Sequence, residues 1–128
     1  MVAGIESECW PDSRRNGGRF PVGIVAGFGR NTHLDSKNRL LCLEIVSVGS
    51  LNASIVHPRE VYKSALLSSA AAIVFVHNHP SGDPTPSRED IELTSRLKQA
   101  SDLLGIRLLD HVVIGSGRHF SFADSGLL

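Results

Sequence analysis

Residues 71–77 form a continuous apolar segment that ends in a histidine, and no other part of the chain limits the possible folds as much. The segment has the length of a strand and no polar face, which is typical of a central strand buried on both faces. The next residues, 78–86, contain three prolines and one glycine, so they cannot form regular structure. Ser87 and Asp90 then have the spacing of a helix start, with a capping hydroxyl and a carboxylate three residues later. The sequence therefore predicts a buried strand, an irregular loop and a capped helix in succession.

Local signals on both sides of this unit predict the remaining elements. Apolar runs predict strands over 39–48, 53–56, 106–114 and 119–123, and helical spacing predicts a first helix over 58–69 that begins at Pro58. Gly105 is placed to end the second helix in a left-handed conformation. The order of strands, helix, strand, helix and strands predicts an α/β fold, in which a mixed β-sheet is sandwiched with two main helices.

The first part of the chain has a different composition. Residues 1–33 contain no Leu and no Lys, and five of the twelve glycines lie between Gly17 and Gly29. Residues 21–28 could form one short strand, although their glycines weaken that interpretation. We therefore divide the chain into a divergent, poorly specified segment, residues 1–32, and one domain, residues 33–128.

Charge and cysteine content exclude several kinds of protein. Thirteen basic residues balance thirteen acidic ones, so there is no net field to hold a nucleic acid or an anionic membrane, and neither is an expected partner. The apolar runs are too short to span a bilayer, and Glu6 and Glu8 stand where a signal peptide would begin its apolar stretch. Cys9 and Cys42 have no metal-ligand spacing, which suggests a reducing compartment, so we expect a cytoplasmic protein. Any bound metal must then use histidine and carboxylate ligands.

The end of the buried strand and the start of the next helix together form a candidate metal site. His77 and His79 are two residues apart at a strand end, so their imidazoles lie on the same face. Asp90 follows a rigid loop and would supply a third ligand. Two imidazoles and one carboxylate leave zinc an open position for water, as in catalytic sites, and the pKa of such a water is lowered to about 7. The alternative is that Asp90 only offsets the helix dipole beside a Ser87 cap.

These residues resemble the JAMM motif of MPN-domain metalloproteases, which has the form His-x-His-Pro, six residues, Ser, two residues, Asp. The surroundings are similar to the bacterial RadC family over a region from Leu34 to Leu127. The segments that carry the resemblance are His77-Asn78-His79-Pro80-Ser81-Gly82, Pro86-Ser87 with Asp90, Gly49-Ser50-Leu51-Asn52, His57-Pro58-Arg59-Glu60 and Leu109-Asp110-His111.

The resemblance implies an MPN (JAB/JAMM) fold and a zinc metallopeptidase or isopeptidase-like hydrolase that acts on a peptide- or isopeptide-linked protein substrate. Zinc would be held by His77, His79, Asp90 and a water molecule that attacks the amide carbonyl. Ser87 would be catalytic, because it would donate a hydrogen bond to the oxyanion. Removal of one such donor typically lowers the rate by a factor of about 10² to 10³.

The chain departs from the family pattern at the general base. The resemblance places a glutamate near Gly27, but residues 26–33 contain no carboxylate. Either the protein is a zinc-binding pseudoenzyme, or Glu44, Glu6 or Glu8 substitutes, or the first third of the chain was replaced by something like a frame change. The alternative functions are therefore a catalytically inactive zinc-binding module and, from the family name alone, a DNA-repair accessory protein, against which the neutral charge argues.

Other histidines have weaker signals. We expect His57 to order the start of the first helix. Asp110 and His111 could support the zinc ligands, because a ligating imidazole usually donates its second N–H to a partner, although we favour packing and strand pairing as their role. His33 and His119 fit no pattern.

Overall fold

The computed structural model describes residues 27–49 and 57–128, and within these residues the chain forms a five-stranded sheet with two helices. The strands lie in the order β2-β1-β3-β4-β5, with β3 and β4 parallel and the other neighbours antiparallel. The predicted mixed sheet with two helices is therefore confirmed. The elements are β1 (Gly27–Leu34), β2 (Leu40–Gly49), α1 (Pro58–Leu67), β3 (Ala72–Asn78), α2 (Arg88–Leu104), β4 (Arg107–Ile114) and β5 (His119–Ser121).

Strand β3 is the predicted apolar segment, and it lies at the centre of the sheet between β1 and β4. On one face its Phe75 is fully buried with Val61 of α1 and Leu97 of α2, so both helices pack on that face. Val74 and Val76 on the opposite face are only half-buried. The predicted burial of this strand on both faces is thus wrong for the second face, because the two helices share the first.

The helix boundaries follow their local signals. Pro58 begins α1, and α1 ends at Leu67 because Ser69 adopts a positive φ of 55°. Helix α2 has its N-cap at Ser87, and Gly105 is left-handed with φ 71°, as predicted. His57 stands before α1 without a side-chain cap bond, so it orders the helix start through its backbone carbonyl, which accepts from two N–H groups of the first turn. Neither helix of the described residues is long and apolar enough to cross a bilayer.

Strand β1 extends further along the chain than the sequence predicted. The expected short strand covered 21–28, of which 21–26 lie outside the described residues, and the observed strand is Gly27–Leu34. Its polar and glycine-rich sequence has little strand propensity, but it hydrogen-bonds to β2 on one side and β3 on the other. Pairing on both edges outweighs the local propensity. The predicted strand over 53–56 also lies outside the described residues, and β5 ends at Ser121, two residues before its predicted end.

Strand β1 presents polar side chains to α1. Asn31 and His33 are fully buried, and the Asn31 side-chain amide donates to the Val61 carbonyl at 2.8 Å. The two ring nitrogens of His33 lie 2.8 Å from Ser68 Oγ and 3.2 Å from Ser64 Oγ. A buried polar group destabilises a fold unless it is hydrogen-bonded, so these contacts to α1 are what permits two polar residues in the interior.

Acid is expected to destabilise the fold through His33. Burial lowers the pKa of His33 from 6.5 to about 4, so between these values the unfolded chain binds a proton that the folded chain does not. The contribution of this histidine to the free energy of unfolding is therefore complete above pH 6.5 and falls as the pH approaches 4. The full loss is about 3 kcal/mol at most.

Urea unfolding over this pH window measures the effect in the wild-type chain, in a His33→Gln variant and in a control variant of the exposed His119, His119→Gln. The His33→Gln chain should lose part of the acid dependence, and the His119→Gln chain should retain it. Identical pH dependence in all three chains would contradict the prediction.

Candidate metal centre

The three predicted ligands converge on one point at the carboxyl end of β3. His77 Nε2 lies 3.1 Å from His79 Nε2 and 3.1 Å from one oxygen of Asp90, and His79 Nε2 lies 2.9 Å from the other Asp90 oxygen. Zinc bonds of about 2.0–2.1 Å at a tetrahedral angle separate two ligand atoms by about 3.3 Å. The observed separations are close to that value, so this group of residues could hold one metal ion.

A hydrogen bond on the outer side of the His79 ring indicates which of its nitrogens faces the centre. His79 Nδ1 lies 2.9 Å from the Asp83 carbonyl oxygen, which can only accept, so this nitrogen carries the proton. His79 Nε2 therefore directs a lone pair inward, toward the Asp90 carboxylate and the second imidazole. Electron-pair donors this close repel each other unless a cation, either a proton or a metal ion, lies between them. The donor set thus fits a bound cation.

Asp90 serves as helix cap and candidate ligand at the same time. Its backbone N–H donates to Ser87 Oγ at 3.1 Å, and the Ser87 backbone N–H donates to its carboxylate at 2.7 Å, so the predicted capping box is present. Desolvation alone would raise the pKa of Asp90, but hydrogen bonds and charge from His77, with the bonds from Ser87, lower it well below the ordinary value. The carboxylate is therefore ionised at neutral pH, as a metal ligand must be.

The ligand group is partly open to solvent. The side chains of His77, His79 and Asp90 are 15%, 19% and 12% exposed. A small molecule can therefore reach the centre. Ser87 Oγ accepts the N–H of Asp90 with a lone pair, which leaves its hydroxyl proton available to a second partner.

Strand β1, one of the two strands beside β3, contains no carboxylate in its sequence. Gly29 of β1 pairs with His77, and Gly27 precedes it by two residues on the same strand. Glu44 lies on β2 and pairs with Asn31 of β1, so β1 separates Glu44 from β3. The backbones of β2 and β3 are therefore two strand spacings apart, about 9–10 Å. The structure does not bring Glu44 to the ligands, and Glu6 and Glu8 lie outside the described residues.

The two candidate supporting residues on β4 have different roles. Asp110 accepts from the backbone N–H groups of His111 and Ala123 and from Ser121 Oγ, so it stabilises the connection between β4 and the chain end. His111 instead contacts a ligand, with its Nε2 at 2.8 Å from His77 Nδ1. Burial, followed by the charge of His77, lowers the pKa of His111 to about 3, so this ring is neutral at neutral pH.

Thr94 also belongs to the centre, although no motif in the sequence identified it. Its Oγ lies 2.6 Å from His111 Nδ1 and donates to the Asp90 carbonyl at 2.7 Å. Its position four residues after Asp90, on the same face of α2, is the signal that could have identified it.

The loop that carries His79 packs against the turn after β4 at Gly115. The Ser116 N–H donates to the Gly82 carbonyl at 2.8 Å, and the His79 N–H donates to the Ile114 carbonyl at 2.8 Å. A Cβ at position 115 would lie 2.3 Å from the Gly82 carbonyl oxygen and 2.8 Å from the Pro84 ring. Position 115 therefore requires glycine because the loop backbone approaches it so closely.

A Gly115→Ala variant is expected to bind zinc about 10- to 100-fold more weakly, the usual effect of losing a residue that supports metal ligands. The added methyl group displaces the loop and with it the His79 ring. Competition with a chromophoric chelator measures the affinity. Gly117→Ala is the matched control, because position 117 in the same turn has no neighbour within 4 Å, although its φ of 66° lowers stability in that variant. Equal affinities for the two variants would contradict the prediction.

Comparison with known proteins shows similarity to one protein family and to several individual proteins. The family model described as RadC-like JAB domain matches residues 30–127. A UPF0758 protein of Methanosarcina acetivorans is 62% identical over 96 residues, which are 75% of this chain and 42% of that protein. A UPF0758 protein of Geotalea uraniireducens is 62% identical over 95 residues, which are 74% of this chain and 42% of that protein. The chain thus spans about two fifths of the length of these relatives.

Proposed function

Because the chain belongs to the RadC-like JAB domain family, we propose that it is a zinc-dependent metallopeptidase or isopeptidase-like hydrolase that cleaves an amide bond. The observation that carries the proposal is the convergence of two imidazole nitrogens and one carboxylate within about 3 Å of one another, at a partly exposed strand end. Three protein ligands with room for a fourth partner are typical of catalytic zinc sites, whereas structural sites are closed by four.

The donor set supports zinc as the metal. Imidazole nitrogen is a good ligand for zinc and its transition-metal neighbours, whereas calcium and magnesium prefer oxygen ligands. When bound, zinc supplies a Lewis acid that polarises a carbonyl and lowers the pKa of a bound water to about 7.

The roles of the protein residues follow from their positions. His77, His79 and Asp90 would hold the ion, and the Asp90 carboxylate is oriented by the Ser87 backbone N–H at 2.7 Å. The Ser87 hydroxyl, whose proton is not used by the cap, would donate to the carbonyl oxygen as negative charge develops on it. A peptide- or isopeptide-linked protein is the proposed substrate, and the balanced charge of the chain argues against a nucleic acid or a membrane surface as a ligand.

The second candidate is a zinc-binding module without turnover. The glycines of β1 favour it, because Gly29 stands opposite His77 and no residue of the described part of that strand is a carboxylate. A site without a general base keeps its metal but loses the proton transfer that assists attack by water, which typically lowers the rate by a factor of about 10² to 10⁴.

Cleavage by a variant that carries the missing carboxylate separates the two candidates. The zinc-loaded Gly27→Glu chain is incubated with peptide- and isopeptide-linked protein substrates, and newly formed amino groups are measured with and without a chelator. Metal-dependent cleavage supports the hydrolase. Zinc binding without cleavage of any such substrate would exclude hydrolysis and leave the binding module.

A further inference from the structure

A chain of hydrogen bonds connects helix α2 to the outer nitrogen of His77. Thr94 Oγ lies 2.7 Å from the Asp90 carbonyl oxygen and 2.6 Å from His111 Nδ1. His111 Nε2 in turn lies 2.8 Å from His77 Nδ1. Thr94 and His111 are 2% and 0% exposed, so no water competes for these contacts at their buried ends.

The donor and acceptor of each of these hydrogen bonds follow from the group at the helix, the Asp90 carbonyl. The Asp90 carbonyl can only accept, so the single hydroxyl proton of Thr94 is donated to it. Thr94 Oγ must then accept from His111 Nδ1, which therefore carries a proton. The ring is fully buried against Phe75 and Phe122, where a second proton would leave an uncompensated charge, so this is its one proton. His111 Nε2 has a lone pair and accepts from His77 Nδ1. His77 is left with its Nε2 lone pair facing His79 and Asp90.

We propose that His111 and Thr94 are positioning residues that fix the tautomer of His77, so that its Nε2 is the metal-binding atom. The proposal rests on the metal-binding part of the proposed function and does not depend on amide cleavage. The opposite tautomer of His77 would place a proton where the ion must bind. It would also bring two lone pairs, on His77 Nδ1 and His111 Nε2, within 2.8 Å of each other.

Packing keeps the His111 ring in the plane that its hydrogen bonds to Thr94 and His77 require. The ring stacks on Phe122 with centroids 4.7 Å apart and an interplanar angle of 6°. The Phe75 ring centroid lies 5.2 Å from that of His111, at an interplanar angle of 60°. The aromatic contacts hold the ring plane, and the hydrogen bonds assign the protons. His79 has a simpler arrangement, because its outer nitrogen donates directly to the Asp83 backbone carbonyl. The two histidine ligands are therefore oriented by different parts of the chain, one by buried side chains and one by loop backbone.

Substitutions at Thr94 and His111 test the proposal. Thr94→Val removes the hydroxyl and keeps the shape, and Thr94→Ser, which keeps the hydroxyl, is its matched control. His111→Phe keeps the aromatic packing and removes both nitrogens, whereas the amide of His111→Gln can still accept from His77 and donate to Thr94. Thermal unfolding of each chain confirms that it is folded.

Two measurements are made on each variant. Zinc affinity is determined by competition with a chromophoric chelator, and nitrogen NMR of the metal-free chain, at a pH where His77 is neutral, determines which of its nitrogens carries the proton. We expect Thr94→Val and His111→Phe to bind zinc about 10- to 100-fold more weakly than the wild-type chain. We expect Thr94→Ser and His111→Gln to remain close to the wild-type affinity. In the metal-free chain, His77 should be protonated at Nδ1 in the wild type and at Nε2, beside Asp90, in His111→Phe.

Equal zinc affinities for Thr94→Val and Thr94→Ser would overturn the proposal, and so would an unchanged His77 tautomer in His111→Phe. Failure of the proposed function is distinguishable from either result. A chain that binds zinc and cleaves nothing contradicts hydrolysis only. If the wild-type chain bound no zinc, the NMR measurement on the metal-free chain would still decide whether His111 determines the position of the His77 proton.

Discussion

A chain in which His77 and His79 are both replaced by alanine is expected to lose its zinc, from about one ion per chain to almost none. The reason is that two of the three ligand atoms disappear, and a single partly exposed carboxylate at Asp90 holds zinc only weakly. Metal content of the purified chain, measured after dialysis against a low zinc concentration, tests the expectation.

A control chain must lose the same number of histidines elsewhere. His57 and His119 are suitable, because His57 orders α1 through its backbone and His119 is exposed. The His57→Ala, His119→Ala chain should keep the wild-type zinc content. Circular dichroism of both chains is needed, because the His77 ring is a hydrogen-bond partner of the buried His111. Equal zinc retention by the two double variants would eliminate the site, and with it both the hydrolase and the binding-module proposals.

The Gly27→Glu substitution is expected to increase the rate of metal-dependent amide cleavage by a factor of about 10² to 10⁴, the usual contribution of a general base. Strand β1 runs beside β3, with Gly29 paired to His77, and position 27 lies two residues before Gly29 on the same strand. Side chains two positions apart along a regular strand share a face. A carboxylate there would project toward the metal centre, where it could take a proton from the attacking water. Initial rates of amine release by the two zinc-loaded chains give the ratio.

Gly27→Gln is the matched control, because it has the size of glutamate without its basicity. A second control is Glu44→Gln, which should leave any residual activity unchanged, because Glu44 lies two strands from His77. Equal rates for Gly27→Glu and Gly27→Gln would show that the carboxylate does not assist cleavage. If both chains still bound zinc, the protein would then be better described as a binding module.

The convergence of the three candidate ligands was predictable because each has a local signal. The alternation of side chains along a strand places His77 and His79 on one face, the prolines stiffen the loop, and the capping spacing places Asp90 in the first turn of α2. For the same reason, the boundaries of α1, β3 and α2 differ from the prediction by at most a few residues. The cap and ligand interpretations of Asp90 are compatible, since the oxygen that accepts the Ser87 backbone N–H also lies 2.9 Å from His79 Nε2.

The features that the sequence did not predict all depend on contacts between distant parts of the chain. The location of β1, the burial of His33 against Ser64 and Ser68, and the exclusion of Glu44 from the site follow from strand order and register. A polar, glycine-rich segment has no local pattern from which its two neighbouring strands could be inferred.

Sequence alone therefore determined which residues form the candidate metal site and which elements carry them, because these depend on spacing within about fifteen residues. Only the tertiary structure decided that His111 contacts a ligand while the adjacent Asp110 stabilises a strand connection. The two side chains lie on opposite faces of β4, and which face meets His77 depends on the parallel register between β3 and β4, where His111 pairs with Phe75. A shift of one residue in that register would have placed Asp110 instead of His111 on the face of His77. No signal within β4 itself specifies the register.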